Sequence, residues 1–543
     1  MALIDRRTFV RRAGMVAAGS ALGFSSTGCG ADVITSTVPC LARVDAPAAL
    51  PGMTYLKASE IGCALNCDLT SGLNTRTGGA ATDDAPVINA AMAGASAANP
   101  ITLIIDGPAL ISGLFLPAGG YWSIAGLGCG TGFFIKTGTN NDGIHNGGPK
   151  AAVPSDPGPN VPLPTRGRNV SLSNFTINGN QGNGTNGDST TGATQGSAAN
   201  DLFYFCINLM NLNNITITNV VVVNSPSYHI RFSNTGNVAV TGCVMDSTGP
   251  NTDGLHFDGP ANDIVISGCS ITCQDDGIAL NCPEGYTGNI SRVTISDCTF
   301  NTNSLARLYT ISTSNSPYKF TIDTVTVSNC SGTFLVAAFM IGQGSASAPN
   351  SVGALNVSNC QLTTPTVLDI SANFGAIDLD NVTMTPLNAN IGDGLAFART
   401  SGYYVGLVYA GSSLTFENCT MLRNSNNPVA AVIIENGSSI GLVEFDGFAL
   451  QDPTGSAYPA AAELVDIVSG SIGSLVIDTL STGHIASPVN LGAFATIGSV
   501  SGKGVLATAW PFPDSVMANG VPYISATTNQ PSIKVGGVVE PYP

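Results

Sequence analysis

Apolar and polar positions alternate in a phrase that recurs along this chain. Its form is apolar-x-apolar-x, then Asn, Gly or Asp, then Cys or Val, with Ser or Thr filling the x positions. It reads NVSLSNF from Asn169, NITITNV from Asn214, NVAVTGC from Asn237 and DIVISGC from Asp263. It returns as RVTISDC from Arg292, TVTVSNC from Thr324, ALNVSNC from Ala354, AIDLDNV from Ala376 and SLTFENC from Ser413, with weaker copies from Leu442 and Ser474. Alternation sends successive side chains to opposite faces, so each copy predicts a half-buried strand. The Asn or Gly that follows predicts a tight turn. Clear consecutive copies lie 22 to 37 residues apart, with one 45-residue gap over a loop. That period predicts an all-β fold, a right-handed parallel β-helix with about three short strands per coil and equivalent residues stacked between coils. A β-propeller would need about 40–45 residues per blade at even spacing.

A solenoid has open ends that need covers. Thr82-Asp83-Asp84-Ala85-Pro86 opens the Ala-rich VINAAMAGA, with Asp available as N-cap, which predicts a capping helix over residues 84–95. The coils then begin within Thr102 to Gly128. Residues 177–200, rich in Gly, Asn and Thr, read as a loop and a candidate cleft wall. Trp510-Pro511-Phe512-Pro513 breaks the pattern, so residues 505–543 form a C-terminal cap segment. The expected organisation is an export signal at 1–28, a linker at 29–54, the β-helix with its N-terminal cap at 55–504, and the cap at 505–543.

Composition adds three constraints. The 543 residues include 64 Gly and only 10% charged residues, and the β-branched content is enough for a buried core. Residues 5–14, DRRTFVRRAG, precede a short apolar run from Met15 to Phe24 and resemble the twin-arginine export signal of bacteria and archaea. The run is too short to span a bilayer. Ser-Thr-Gly-Cys at 26–29 leaves two outcomes open: lipoprotein processing with Cys29 acylated, or ordinary cleavage near Gly28 or Ala31. The expected location is periplasmic, secreted or lipid-anchored, with membrane contact only through Cys29. Losing residues 1–28 removes four Arg and Asp5 and takes the net charge from −16 to −19. So acidic a surface argues against nucleic acid and against polyanionic substrates. Of the fourteen cysteines, Cys243, Cys269, Cys298, Cys330, Cys360 and Cys419 occupy one position of the phrase, a stack of small buried thiols and not a disulfide framework. Cys63 with Cys67, and Cys273 with Cys282, are candidate local disulfides.

Acids bunch where the rest of the chain is sparing with charge. NSPSYHIRF, NTDGLHFDG and CQDDGIALNC place Asp253, Asp275 and Asp276 one coil apart. With Ile230, Phe232, Leu255, Phe257, Ile278, Leu280 and Leu308 inward, alternation sends His229, Arg231, His256, Asp258, Arg307 and Tyr309 outward. The result is a polar, mixed-charge groove suited to sugar hydrolysis, with those six as candidate substrate-binding residues. Asp253 and Asp275 as mere turn caps would explain one Asp per coil but not the doublet. An ion pair between Arg231 and Asp258 across coils is also expected.

NSPSYHI, NTDG and QDDGIAL resemble the signature run of polygalacturonase-type glycoside hydrolases, family 28, within the pectate-lyase-like β-helix superfamily. The resemblance implies an inverting hydrolase with Asp275 as general acid and with Asp253 and Asp276 activating water. Inversion needs acid and base roughly 6.5–9.5 Å apart to admit that water. No metal or other cofactor is implied. The family's Gly-His-Gly and Arg-Ile-Lys are not found: the four histidines are His145, His229, His256 and His484, and Tyr309 stands where a lysine is expected. The missing cationic pair would hold a uronate carboxylate, so the expected substrate is a neutral or differently decorated polysaccharide. Two alternatives stay open on this fold. One is a polysaccharide lyase with Ca²⁺ on Asp253, Asp275 and Asp276 and Arg307 as base; the other is a non-catalytic glycan-binding or adhesion solenoid.

Overall fold

The computed structural model describes residues 42–46, 52–148, 161–182, 204–310, 320–342, 351–387, 396–400, 409–422, 430–451, 463–481, 487–505 and 511–542. The expected export signal, Cys29, most of the expected 177–200 loop and Trp510 lie outside them. The chain is a right-handed parallel β-helix. Among the described residues three columns of parallel strands stack along the axis, each interior strand paired with its equivalent one coil before and one coil after.

The register follows the recurring phrase. Val170 pairs with Ile215, Ile215 with Val238, Val238 with Ile264 and Ile264 with Val293. These side chains form one continuous apolar core together with Leu172, Ile217, Val240, Ile266 and Ile295. The turns explain the polar letters. Asn169, Asn214 and Asn237 open successive coils at φ between 50° and 59°, where Asn is among the few non-glycine residues tolerated. Their amides hydrogen-bond along the axis, Asn237 to Asn214 over 2.8 Å and Asn214 to Asn169 over 3.0 Å. Where the ladder meets Asp263 and Arg292, a 2.5 Å ion pair takes over the same step.

The thiol stack is present: Cys243, Cys269, Cys298, Cys330, Cys360 and Cys419 are all buried and free. The two candidate disulfides are corrected by the structure, since Cys63, Cys67, Cys273 and Cys282 are free as well. Cys273 instead directs its Sγ to the carbonyls of Asp275 and Asp276, at 3.6 and 3.4 Å. Cys129, outside the repeated phrase, is disulfide-bonded.

The N-terminal helix runs Ala85–Met92 and turns Ile88 and Met92 into the core. Asp84 stands at its N-cap position without capping it. Its buried carboxylate accepts from the amides of Ala64 and Leu65 at 2.6 and 3.0 Å, tying the preceding loop to the cap. At the other end a separate four-stranded sheet over Pro511–Phe512, Pro522–Ser525, Pro531–Val535 and Val538–Pro541 brings Phe512 and Tyr523 onto the core. Among the described residues no helix is long and apolar enough to cross a membrane.

Candidate functional site

Four successive coils build the site. Strand Ile230–Thr241 pairs with Leu255–Ser267, which pairs with Asp276–Ser296, which pairs with Ser304–Tyr309. Ile230, Leu255, Ile278 and Ala306 form one inward column, and Phe232, Phe257, Leu280 and Leu308 another. Between them runs the outward column Arg231, His256, Ala279, Arg307. Asp253 and Asp275 sit in the turns that lead into this face, and Asp276 begins its strand.

The motif glycines have a steric reason. A Cβ on Gly254 would fall 2.5 Å from the Gly277 carbonyl, and one on Gly277 would fall 2.7 Å from the Phe300 ring. Successive coils are in contact here, which brings the acids together. One carboxylate oxygen from each of Asp253, Asp275 and Asp276 lies within 4.8 Å of the others.

Asp276 is buried, accepts from Ser304 Oγ at 2.7 Å and lies 3.4 Å from Arg307 Nη1. Burial raises its pKa and Arg307 opposes the rise, with Asp253 adding to it and Ser304 reducing it. Asp253 is buried too, its Oδ2 lying 2.6 Å from His256 Nδ1, while its Oδ1 has no partner. Asp275 is half-buried, which leaves it the most accessible of the three acids.

The surrounding face is closed, which corrects the expected open groove. His229, His256 and Asp258 are fully buried, Arg231 is 2% exposed and Arg307 7%. These side chains leave the core as alternation requires, but further groups cover them. Tyr228 stacks on His256 with centroids 3.8 Å apart, and Phe205 stacks on Tyr228 at 5.2 Å. His256 Nε2 lies 3.0 Å from both Asp258 Oδ1 and Glu284 Oε2. Burial works against a charged ring there, but Tyr228, Asp258 and Asp253 more than reverse it and raise the pKa well above the ordinary value. His256 is therefore an imidazolium holding carboxylates in place. His229 is its opposite: burial lowers its pKa to about 4, so the ring is neutral and Nδ1 donates to the Asp253 carbonyl over 2.9 Å. Arg231 forms the anticipated ion pair with Asp258 and lies over the Phe205 ring. Tyr309 is half-buried beside the Arg307 guanidinium, 5.1 Å from ring centroid to Cζ.

Sequence reasoning missed Ser304, Glu284 and the Phe205–Tyr228 cover. Ser304 was detectable in principle, because it pairs with Asp276 in register. Glu284 sits in CPEGYTG, an extra segment inside its strand where the pairing register shifts, so alternation carries no information about it. Two groups could each offer a metal ion three ligand atoms within 4.8 Å: Asp253, Asp275 and Asp276, and His256, Asp258 and Glu284.

Residues 165–303 match the model of Glycosyl hydrolases family 28. The family resemblance is thus borne out over a stretch that contains all three candidate acids. An endo-polygalacturonase of Sclerotinia sclerotiorum is 29% identical over 98 residues, 17% of this chain and 25% of that protein. The chain thus matches about a quarter of the length of that curated relative. Among solved structures, the tailspike protein of E. coli bacteriophage HK620, in complex with a pentasaccharide, superposes with a TM-score of 0.57 at 11% identity, covering 84% of this chain and 76% of that one. The family 28 exopolygalacturonase of Yersinia enterocolitica gives a TM-score of 0.49 at 10% identity, with 82% and 78% covered. The tailspike superposition establishes the β-helix fold.

Proposed function

We propose, starting from the family 28 likeness of residues 165–303, that this chain is an exported glycoside hydrolase cleaving O-glycosyl bonds of a pectin-type polysaccharide. The carrying observation is the convergence of Asp253, Asp275 and Asp276 within 4.8 Å from turns one coil apart. Burial, with the nearby Asp253 carboxylate adding to it, raises the pKa of Asp276, so that acid holds its proton to higher pH than an isolated one. Asp275, the accessible member, protonates the leaving glycosidic oxygen. Asp253 and Asp276 orient and deprotonate the attacking water, with Asp253 positioned by His256 and Asp276 by Ser304 and Arg307. His229, Arg231 and Asp258 are buried beneath the face and act as positioning residues. Tyr309 remains as a substrate contact.

The sugar in the cleavage subsite is neutral in this reading. Arg231 is matched by Asp258 and Arg307 by Asp276, so a uronate carboxylate there would meet paired cations and additional acids. The reaction needs no cofactor. Inversion follows the family resemblance and fits carboxylates that deprotonate a water, whereas retention would make one of them the nucleophile. The same ligand geometry keeps the Ca²⁺-dependent lyase as a second reading.

One experiment tests the main reading. A panel of pectin-derived and neutral polysaccharides is digested by wild type and by Asp275→Asn, with the product anomer followed by NMR. Release of reducing sugar by wild type, reduced about a thousandfold or more in the variant, is the expected result. Equal release by both proteins removes Asp275 from the mechanism, and the anomer decides between the two stereochemical courses.

A further inference from the structure

The outward column that carries Arg231, His256 and Arg307 continues beyond the acids. Arg307 pairs with Met340, Met340 with Asp369, and Asp369 with Arg399 on successive coils. Leu368 and Ile370 on either side of Asp369 lie in the core, so Asp369 projects from the same face as the candidate active site. From Ala279 to Asp369 is three strand steps, roughly 14 Å along the axis.

A second polar cluster stands there. Arg399 Nε lies 3.3 Å from Glu435 Oε2, and these two side chains keep 21% and 25% of their surface exposed. Asp369 and Tyr409 are covered, at 9% and 2% exposure. Asp369 feels Arg399 and Glu435, and Tyr409 feels Asp369, so the four form one electrostatic group. Asp369 Oδ1 and the Tyr409 hydroxyl are both buried without a hydrogen-bond partner. Buried polar atoms are nearly always matched. Two unmatched ones in one cluster, an acceptor and a hydroxyl, beside a half-exposed ion pair and in line with the acids, mark a place where a polar ligand completes the bonding.

We propose that Asp369, Tyr409, Arg399 and Glu435 form a distal sugar-binding subsite that holds the same polysaccharide a few units from the cleavage point. This rests on the glycan-hydrolase reading above. Asp369 accepts from one sugar hydroxyl, Tyr409 bonds a second, and the Arg399–Glu435 pair forms the rim. Two carboxylates against one guanidinium make the subsite selective for neutral sugars over uronates. An enzyme so built grips long chains better than short ones.

The test uses the full chain carrying Asp275→Asn, which stops turnover, and measures calorimetric binding of neutral galacto-oligosaccharides and oligogalacturonates as disaccharides and hexasaccharides. The neutral hexasaccharide is expected to bind about tenfold more tightly than the disaccharide, and adding Asp369→Asn with Tyr409→Phe brings that ratio close to unity. Both substitutions are nearly isosteric, and matching thermal melts establish that the fold is intact. An unchanged ratio, tighter binding of the uronate hexasaccharide, or no hexasaccharide binding at all overturns the subsite. If wild type cleaves a panel polysaccharide while the ratio is unchanged, the hydrolase reading stands and the subsite falls. If the ratio collapses but nothing is cleaved, the subsite stands and the hydrolase reading falls.

Discussion

Replacing Ser304 with alanine isolates one contribution to the candidate acid cluster. Ser304 is fully buried, and its hydroxyl donates to Asp276 Oδ1 over 2.7 Å. Alanine keeps the Cβ and the backbone pairing with Asp276 but deletes that donor, leaving Arg307 Nη1 at 3.4 Å as the nearest cation. Burial raises the Asp276 pKa, and Ser304 is one of the groups opposing the rise. Without it Asp276 holds its proton to higher pH. A carboxylate that deprotonates water must be ionised, so the acidic limb of kcat/KM moves upward in pH. A hydrogen bond to a charged group contributes about 1.5–3 kcal/mol, which corresponds to roughly ten- to hundredfold lower rate on that limb. Above the limb the loss shrinks, because Asp276 ionises there in both proteins. The assay is kcat/KM against pH on the polysaccharide that the panel identifies, for wild type, Ser304→Ala and Ser304→Thr, the last restoring a hydroxyl. Superimposed acidic limbs, or a shift confined to the alkaline side, would refute the assignment of Asp276 to water activation.

Three further outcomes are expected. Burial raises the Asp369 pKa to about 6, so its folded form holds a proton that the unfolded chain releases near the ordinary carboxylate range. Its contribution to stability is therefore present below about pH 4 and lost as pH rises through about 6, amounting to roughly 3 kcal/mol. Asp369→Asn should flatten that part of the profile of melting temperature against pH; an identical slope in both proteins would show that Asp369 is ionised in the fold. Phe257→Ala removes a fully buried ring stacked on Phe232 at 4.5 Å and should lower stability by about 3–5 kcal/mol in urea unfolding. A loss below about 1 kcal/mol would mean that the coils close up around the gap. Chelation with EDTA should leave hydrolysis unchanged; loss of activity together with an ultraviolet-absorbing unsaturated product would instead support the Ca²⁺-dependent lyase.

Architecture was legible because a solenoid writes its register into the sequence. The residue at Val238 has to match those at Ile215 and Ile264, so one phrase recurs wherever a coil recurs. The acids were legible for the same reason, since Asp253 and the Asp275–Asp276 doublet occupy equivalent turns. Accessibility was not. Alternation states which side of the strand His256 leaves by, but its burial depends on Tyr228 and Phe205, which lie two residues before the paired Ile230 and Ile207 and so outside the alternating strands. Glu284 was hidden likewise, in an extra segment that interrupts the register. The helix boundary at Asp84 was readable, although the carboxylate serves the Ala64–Leu65 loop in place of its own helix. Local sequence shows that an Asp can cap; it does not show that a better donor pair arrives from twenty residues upstream.

Distance along the backbone and distance along the cylinder axis are independent here. Ile207 stacks on Ile144 across a long excursion and beneath Ile230 across a short one, yet both steps are a single strand spacing. The excursions can therefore lengthen, shorten or change composition while the acids keep their places. A lineage built on this cylinder is free to rewrite the walls around a fixed set of reacting atoms, and selectivity for a new glycan would evolve there first.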